Sequence, residues 1–138
     1  MKFILLILTT LLISVSCFSQ KSVTQRVKEI YTAIQKGKIK PIFIASQYEP
    51  FWDIYIMGNY AIFHSDQGQS YDYFTVQENF DKNKYSQVLH LKDGSGNIST
   101  LKIIKKQTDD GMSDRLYPYT IVYSGFKFSG HGRLNLKF

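Results

Sequence analysis

The chain has little that could cross-link or interrupt a fold, since its 138 residues include one cysteine and three prolines. A lone cysteine cannot form a disulfide within the chain, so this is not a small disulfide-rich scaffold. The apolar runs are also too short for an ordinary transmembrane helix of about 20 residues. Stability must therefore come from a packed core, to which ten tyrosines and ten phenylalanines can contribute.

Acidic residues are fewer than basic ones, 11 against 17, which gives a net charge of +6 at pH 7. The lysines are scattered, with one loose group at 36–40 and another at 102–106. A charge this small and dispersed favours solubility, with contact to anionic envelope polymers or lipid headgroups as the alternative. It predicts no nucleic-acid partner.

The N-terminus has the three parts of an export signal. Lys2 precedes an apolar run at 3–13, and mostly small residues follow at 14–19. We expect cleavage after Ser19, which makes residues 1–19 a signal peptide and the protein periplasmic or secreted. The alternative is lipidation at Cys17, which would attach the protein peripherally to a membrane as an outer-membrane lipoprotein. Residues 20–40 then form an N-terminal helix and linker, and residues 41–138 a single β-domain.

The hydrophobic period is helical before Pro41 and two-fold after it. A capping box at 22–25 and apolar residues on one face predict an amphipathic helix over 22–36, which Gly37 ends. Alternation predicts strands at 42–45, 51–57, 60–64, 71–76, 85–91, 98–105, 117–124 and 126–138. These about eight strands predict an all-β fold, a small antiparallel barrel or barrel-like sandwich, with the helix at its edge or end. Gly130 and Gly132 predict a bulge or a sharp bend in the last strand.

Two short motifs are candidate sites. The first is Glu49-Pro50-Phe51-Trp52, where Phe51 and Trp52 must point to opposite faces of a strand. The second is Asp110-Gly111-Met112-Ser113-Asp114-Arg115, which Tyr117-Pro118 follows. Asp-Gly and Ser-Asp pairs are typical of turns and caps, and no base stands at a spacing that would activate the serine. We therefore predict a structural loop here, followed by a strand with Tyr117, Tyr119, Ile121 and Tyr123 on one face.

With Gly130 and Gly132, these motifs resemble a bacterial family of small exported proteins and lipoproteins that carry an EPFW-type motif early and a DGMSD-x-x-YP motif late. The resemblance spans residues 43–132, and the family's domain is sometimes found beside META domains. It implies an all-β envelope domain with no known catalytic residues and no assigned role. Members often have cysteines where this chain has Thr108 and His131. The implied disulfide is absent here, so packing and hydrogen bonds must hold the loop.

Glu49 and Arg115 are charged residues of the two motifs, each beside aromatic or apolar neighbours. A charge is expensive to bury alone, and an arginine can engage a carboxylate through two hydrogen bonds. We therefore predict that the motifs meet through a Glu49–Arg115 ion pair. Asp114 and Asp53 are the alternative partners of the arginine.

For function, the sequence predicts a non-enzymatic, exported cell-envelope domain that binds a ligand or protein partner and uses no cofactor. Exposed aromatics such as Tyr71, Tyr73 and Phe74 could stack on sugars or peptides, or complete the core.

Two alternatives remain open. The first is a copper-binding or other metal-binding envelope protein, although no two candidate ligands have ligand spacing and we predict no site tighter than about micromolar. Its candidate ligands are His64, His90, His131, Met57 and Met112. The second is a hydrolase that uses the carboxylates of Glu49, Asp109 and Asp110.

Overall fold

The computed structural model describes residues 22–49, 51–66, 70–125 and 129–134. It contains one helix and ten strands in the described residues: α1 (Val23–Gln35), β1 (Phe43–Tyr48), β2 (Phe51–Ile56), β3 (Tyr60–Ser65), β4 (Ser70–Val76), β5 (Ser86–Lys92), β6 (Ile98–Ile104), β7 (Thr108–Asp109), β8 (Leu116–Tyr117), β9 (Tyr119–Tyr123) and β10 (Ser129–Leu134). The predicted signal peptide, Cys17 and Pro50 lie outside the described residues. Across the described part, no helix is long and apolar enough to span a membrane.

Eight of the strands close into an antiparallel barrel in the order β1-β10-β9-β6-β5-β4-β3-β2. Consecutive barrel strands are neighbours all the way round, and pairing of β1 with β10 closes the ring. The remaining strands, β7 and β8, form a separate two-stranded ribbon in the connection between β6 and β9. The predicted all-β barrel with one N-terminal helix is confirmed.

Side chains from alternate positions fill the barrel. Trp52, Ile54 and Ile56 on β2 point inward and are fully buried, while Phe51 lies on the outer face as predicted from the alternation. Phe80, from the connection between β4 and β5, packs its ring 4.9 Å from that of Phe43. An eight-stranded barrel is just wide enough for side chains to fill its interior. The interior of the barrel is therefore a hydrophobic core.

The two glycines of β10 make room for this core. Their strand keeps an unbroken register with β9 over 129–132 and with β1 over 131–134, so neither pairing shows the bulge predicted at Gly130 and Gly132, while the predicted bend stays a prediction. A Cβ added at Gly130 would lie 2.4 Å from the Ser46 carbonyl oxygen and 3.1 Å from the Trp52 ring. A Cβ added at Gly132 would lie 2.4 Å from the Phe43 ring, so the β1 backbone in one case and a core aromatic side chain in the other leave room only for glycine.

The helix packs on the outer wall of the barrel. Val27 is almost fully buried against a second apolar cluster that includes Ile44, Tyr55 and Ile62. The Ser22 hydroxyl accepts the Gln25 N–H at 3.2 Å and caps the first turn. The predicted docking is thus confirmed, but on the wall, since a closed barrel has no edge to cover.

The predicted strands at 42–105 differ from the observed ones by one to three residues at an end, and the last two predicted strands differ more. The segment expected at 117–124 is divided at Pro118, so Tyr117 belongs to the ribbon while Tyr119, Ile121 and Tyr123 face the core. The last strand was expected at 126–138, of which 126–128 and 135–138 lie outside the described residues.

Replacing Gly130 with alanine is expected to destabilise the protein by about 2–3 kcal/mol, because the new methyl group would overlap backbone that cannot rotate away. Gly94→Ala is the matched control, since a Cβ there meets nothing within 4 Å. Urea unfolding followed by tryptophan fluorescence measures both variants. Equal stabilities for the two would show that Gly130 does not approach the Ser46 carbonyl oxygen as described.

Candidate functional site

The second motif is the tip of the β7–β8 ribbon, and Asp110 organises it. One carboxylate oxygen, Oδ1, accepts the backbone N–H groups of Met112 at 3.0 Å and Ser113 at 2.7 Å. The other, Oδ2, accepts the hydroxyl groups of Ser113 at 2.8 Å and Tyr117 at 3.3 Å. Gly111 has a φ of 71°, a left-handed conformation that favours glycine. The structure thus has a loop at this motif, while its structural rather than catalytic role stays a prediction.

These hydrogen bonds favour the charged form of Asp110. The backbone N–H of Met112 makes the largest contribution, followed by the Ser113 hydroxyl, and together the contacts lower the pKa of Asp110 to about 2. The carboxylate is therefore ionised throughout the neutral range. Its hydrogen bonds are committed to the loop, so it gives the surrounding surface a negative charge but few free acceptor positions.

The ribbon lies against the last barrel strand through aromatic rings. β8 contacts β10, and the Tyr117 ring centroid is 3.9 Å from that of His131. Tyr48, just before the first motif, stacks on the same imidazole at 5.3 Å, and its hydroxyl is 3.5 Å from the Tyr117 hydroxyl. The two motifs therefore meet, as predicted, but on His131.

The predicted Glu49–Arg115 ion pair is wrong. Both residues are exposed, and neither forms an ion pair with another described residue, which also excludes the alternative partners Asp114 and Asp53. The Arg115 guanidinium instead lies 5.2 Å from the Tyr117 ring centroid, where it can make a cation–π contact. The prediction assumed that both charges lose water on folding, and in the exposed loop and turn they keep it.

His131 is the most deeply buried polar side chain at this junction, with 4% of its surface exposed. It points outward because Gly130 and Gly132, on either side, face the core. Burial is the main cause that lowers the pKa of His131, so the imidazole is neutral at pH 7. Among the described residues, none forms a hydrogen bond with its ring nitrogens.

A cleft of about 330 Å³ opens beside this imidazole. Its walls come from the turn after β1, from the ribbon and from β10; the lining residues are Gln47, Glu49, Thr108, Asp109, Asp110, Gly111, Met112, Gly130 and His131. Gln47 fixes one wall, because its amide nitrogen donates to the Glu49 carbonyl at 2.7 Å while its amide oxygen accepts the Trp52 indole N–H at 3.2 Å. We call this space the motif cleft.

Thr108 and His131 are the positions at which the family resemblance implies a disulfide, and both line the motif cleft. The loop is thus close to the last strand without a cross-link. The Tyr117 ring contact and the hydrogen bonds of Asp110 hold it there. This agrees with the expectation that packing and hydrogen bonds replace the covalent link.

A row of polar residues continues from His131 across the outside of the barrel. The register pairs His131 with Ser46, Ser46 with Asp53, and Asp53 with His64, and all four are buried. Asp53 accepts hydrogen bonds from the Ser46 hydroxyl and, at 3.1 Å, from the Tyr55 hydroxyl. Burial raises the pKa of Asp53 against the opposing effect of these bonds.

The helix covers the other end of this row. The Tyr31 ring stacks on His64 with centroids 4.3 Å apart, and the His64 Nδ1 atom is buried without a hydrogen-bond partner. The sequence analysis considered Asp53 only as an alternative partner of Arg115, and it did not single out Ser46. The available signal was a polar residue within a run of buried residues in each strand, but the pairing of the strands could not be read from it.

The other candidates are dispersed. Phe74 belongs to the core, Tyr71 packs toward the helix, and Tyr73 is exposed and stacks on Tyr60 at 5.7 Å. Of the metal candidates, His90 interacts with Glu78, far along the chain from the other histidines. No three His, Cys, Asp or Glu side chains of the described segments gather as they would around a metal ion.

No protein-family model, no curated protein and no solved structure matches the chain. The family suggested by the two motifs therefore stays a prediction.

Replacing Asp110 with asparagine is expected to loosen the loop, because the amide cannot accept all four hydrogen bonds. Amide hydrogen exchange at Met112 and Ser113 should accelerate about tenfold at pH 7, the scale of a hydrogen bond to a charged group. Asp114→Asn, which removes an exposed charge of the same loop, is the control.

The wild-type loop should also show the pH dependence of a lowered pKa. The stabilisation is complete above the unfolded pKa of about 3.9 and is lost as the pH falls through about 2. Unchanged exchange in the Asp110→Asn variant would contradict this account of the loop.

Proposed function

We propose that the protein is a non-enzymatic, exported domain of the cell envelope that binds a ligand or protein partner in the motif cleft. The single observation that carries the proposal is that residues of both motifs line one cleft, together with the buried His131. The filled barrel interior supports it, because it leaves the outer surface as the place for recognition.

Export remains part of this proposal and rests on the N-terminal sequence. The basic residue, apolar run and small-residue exit of residues 1–19 are typical of a signal peptide. Attachment to a membrane through Cys17 is the alternative form of the same proposal. In either case the barrel would work in the envelope.

A binding role agrees better with the side-chain chemistry than a hydrolytic one. The Ser113 hydroxyl donates to a carboxylate whose pKa is lowered, so this carboxylate is a poor base. Ser46 likewise bonds to Asp53, and its side chain is buried. Neither serine is hydrogen-bonded to a histidine, the arrangement that activates a nucleophile.

The proposal predicts that filling the cleft abolishes binding. Fractions of bacterial envelope extract are titrated into the isotope-labelled protein, and the amide resonances of Glu49, Gly111 and Met112 are followed by NMR. One fraction should shift them together in the wild type and in Thr75→Trp, which adds the same bulk on an exposed part of β4. The same fraction should leave these resonances unshifted in the Thr108→Trp variant, because the new indole ring would occupy the cleft.

Two outcomes would contradict the proposal. The first is that no envelope fraction shifts the cleft resonances. The second is that Thr108→Trp and Thr75→Trp respond alike to every active fraction.

A further inference from the structure

We infer that the motif cleft recognises a primary ammonium group at the end of an alkyl chain. The inference rests on the proposed binding function and adds the chemical class of the ligand. It follows from three features of the cleft: its charge, its free acceptor atoms and its buried imidazole.

The charge of the cleft is opposite in sign to that of the protein. Three carboxylates, from Glu49, Asp109 and Asp110, line it, and no lysine or arginine is among the described lining residues. Arg115 and Arg133 act on the His131 imidazole from outside this lining. The chain as a whole carries a net charge of +6. An anion placed here would face three negative groups, whereas a cation would be attracted at short range.

The carboxylates differ in the acceptor positions that they leave free. Asp110 uses both oxygens within its own loop, as described above. Asp109 accepts the Gly111 N–H on Oδ1 at 2.9 Å, and no described residue donates to its Oδ2. The Glu49 carboxylate accepts no hydrogen bond from a described residue. Glu49 and Asp109 can therefore accept hydrogen bonds from a ligand.

His131 provides an observation independent of the acids. Its imidazole is more than nine-tenths buried, has no described hydrogen-bond partner and lines the cleft. Among the described residues, the buried side-chain nitrogen without a hydrogen bond is His64 Nδ1, so the His131 nitrogens keep some contact with solvent and can meet a ligand group in the cleft. Because burial keeps it neutral, it can accept a hydrogen bond and does not repel a positive charge.

A primary ammonium matches this set of groups. It has one positive charge and three N–H donors, one for each free carboxylate and one for the imidazole. Met112 lines the same cleft and is 66% exposed, so its thioether can pack against the alkyl chain. A lysine side chain and a small diamine both carry this group.

The test is an NMR titration of the purified protein that follows the His131 ring and the Gly111 amide. The probes are Nα-acetyl-lysine methylamide and 1,5-diaminopentane. The one that binds more tightly shows whether the cleft prefers a lysine side chain or a free diamine. The uncharged control is Nα-acetyl-norleucine methylamide, and the anionic control is Nα-acetyl-glutamate methylamide. Calcium and zinc chlorides are titrated separately.

Both amines should shift the His131 resonances, and the two controls should not. Glu49→Gln should weaken amine binding about two- to fivefold, the range of an exposed ion pair, while Glu29→Gln on the helix removes the same charge without effect. His131→Phe keeps a ring for Tyr48 and Tyr117 to contact but should weaken binding as well. Added salt should weaken the binding to wild type.

Three results would overturn the inference. In the first, the norleucine or glutamate probe binds as tightly as the amines. In the second, Glu49→Gln and Glu29→Gln weaken amine binding equally. In the third, calcium or zinc displaces the amines at concentrations below those at which the amines bind. In each case a ligand that occupies the cleft still supports the proposed function. If no probe and no envelope fraction shifts the cleft resonances, both the inference and the proposed function fail.

Discussion

The close approach of β10 to the aromatic core is the constraint on which the rest of this structure depends. Gly130 and Gly132 leave space inside the barrel for Trp52 and Phe43, and the alternation of the strand then turns His131 outward. Because side chains fill the interior, the outer surface of the barrel is left for the binding that we propose. Because the only residue between the glycines faces outward, the imidazole becomes the surface on which the two motif segments pack.

The motif cleft results from this packing. Tyr48 comes from the end of β1 and Tyr117 from the ribbon, and both rings contact His131. The Asp110 carboxylate accepts a hydrogen bond from the Tyr117 hydroxyl, so the tyrosine that contacts His131 is also bonded to the loop. The loop therefore has a fixed shape without a disulfide, and its acidic residues are held beside a neutral, buried imidazole. Local hydrogen bonding thereby determines both the form and the charge of the cleft.

Much of the fold could be predicted from the sequence, because two-residue alternation and turn residues are local signals. The helix, the strand segments and the loop nature of 110–115 were accessible in this way. The site was not, because it depends on strand neighbours. Nothing local indicates that β1 pairs with β10, which brings His131 beside Ser46, or that Pro118 separates Tyr117 from its strand. The charged residues suggested an ion pair, whereas the contact that forms is aromatic.

The central claim is that the two motifs are joined through His131, and a double-mutant cycle between Tyr117→Leu and His131→Leu tests it most directly. Unfolding free energies from urea melts give the coupling, and a second cycle pairs His131→Leu with Tyr73→Leu, whose ring stacks on Tyr60 instead. The account predicts a coupling of about 1 kcal/mol in the first cycle and none in the second. Additive effects of Tyr117→Leu and His131→Leu would contradict it.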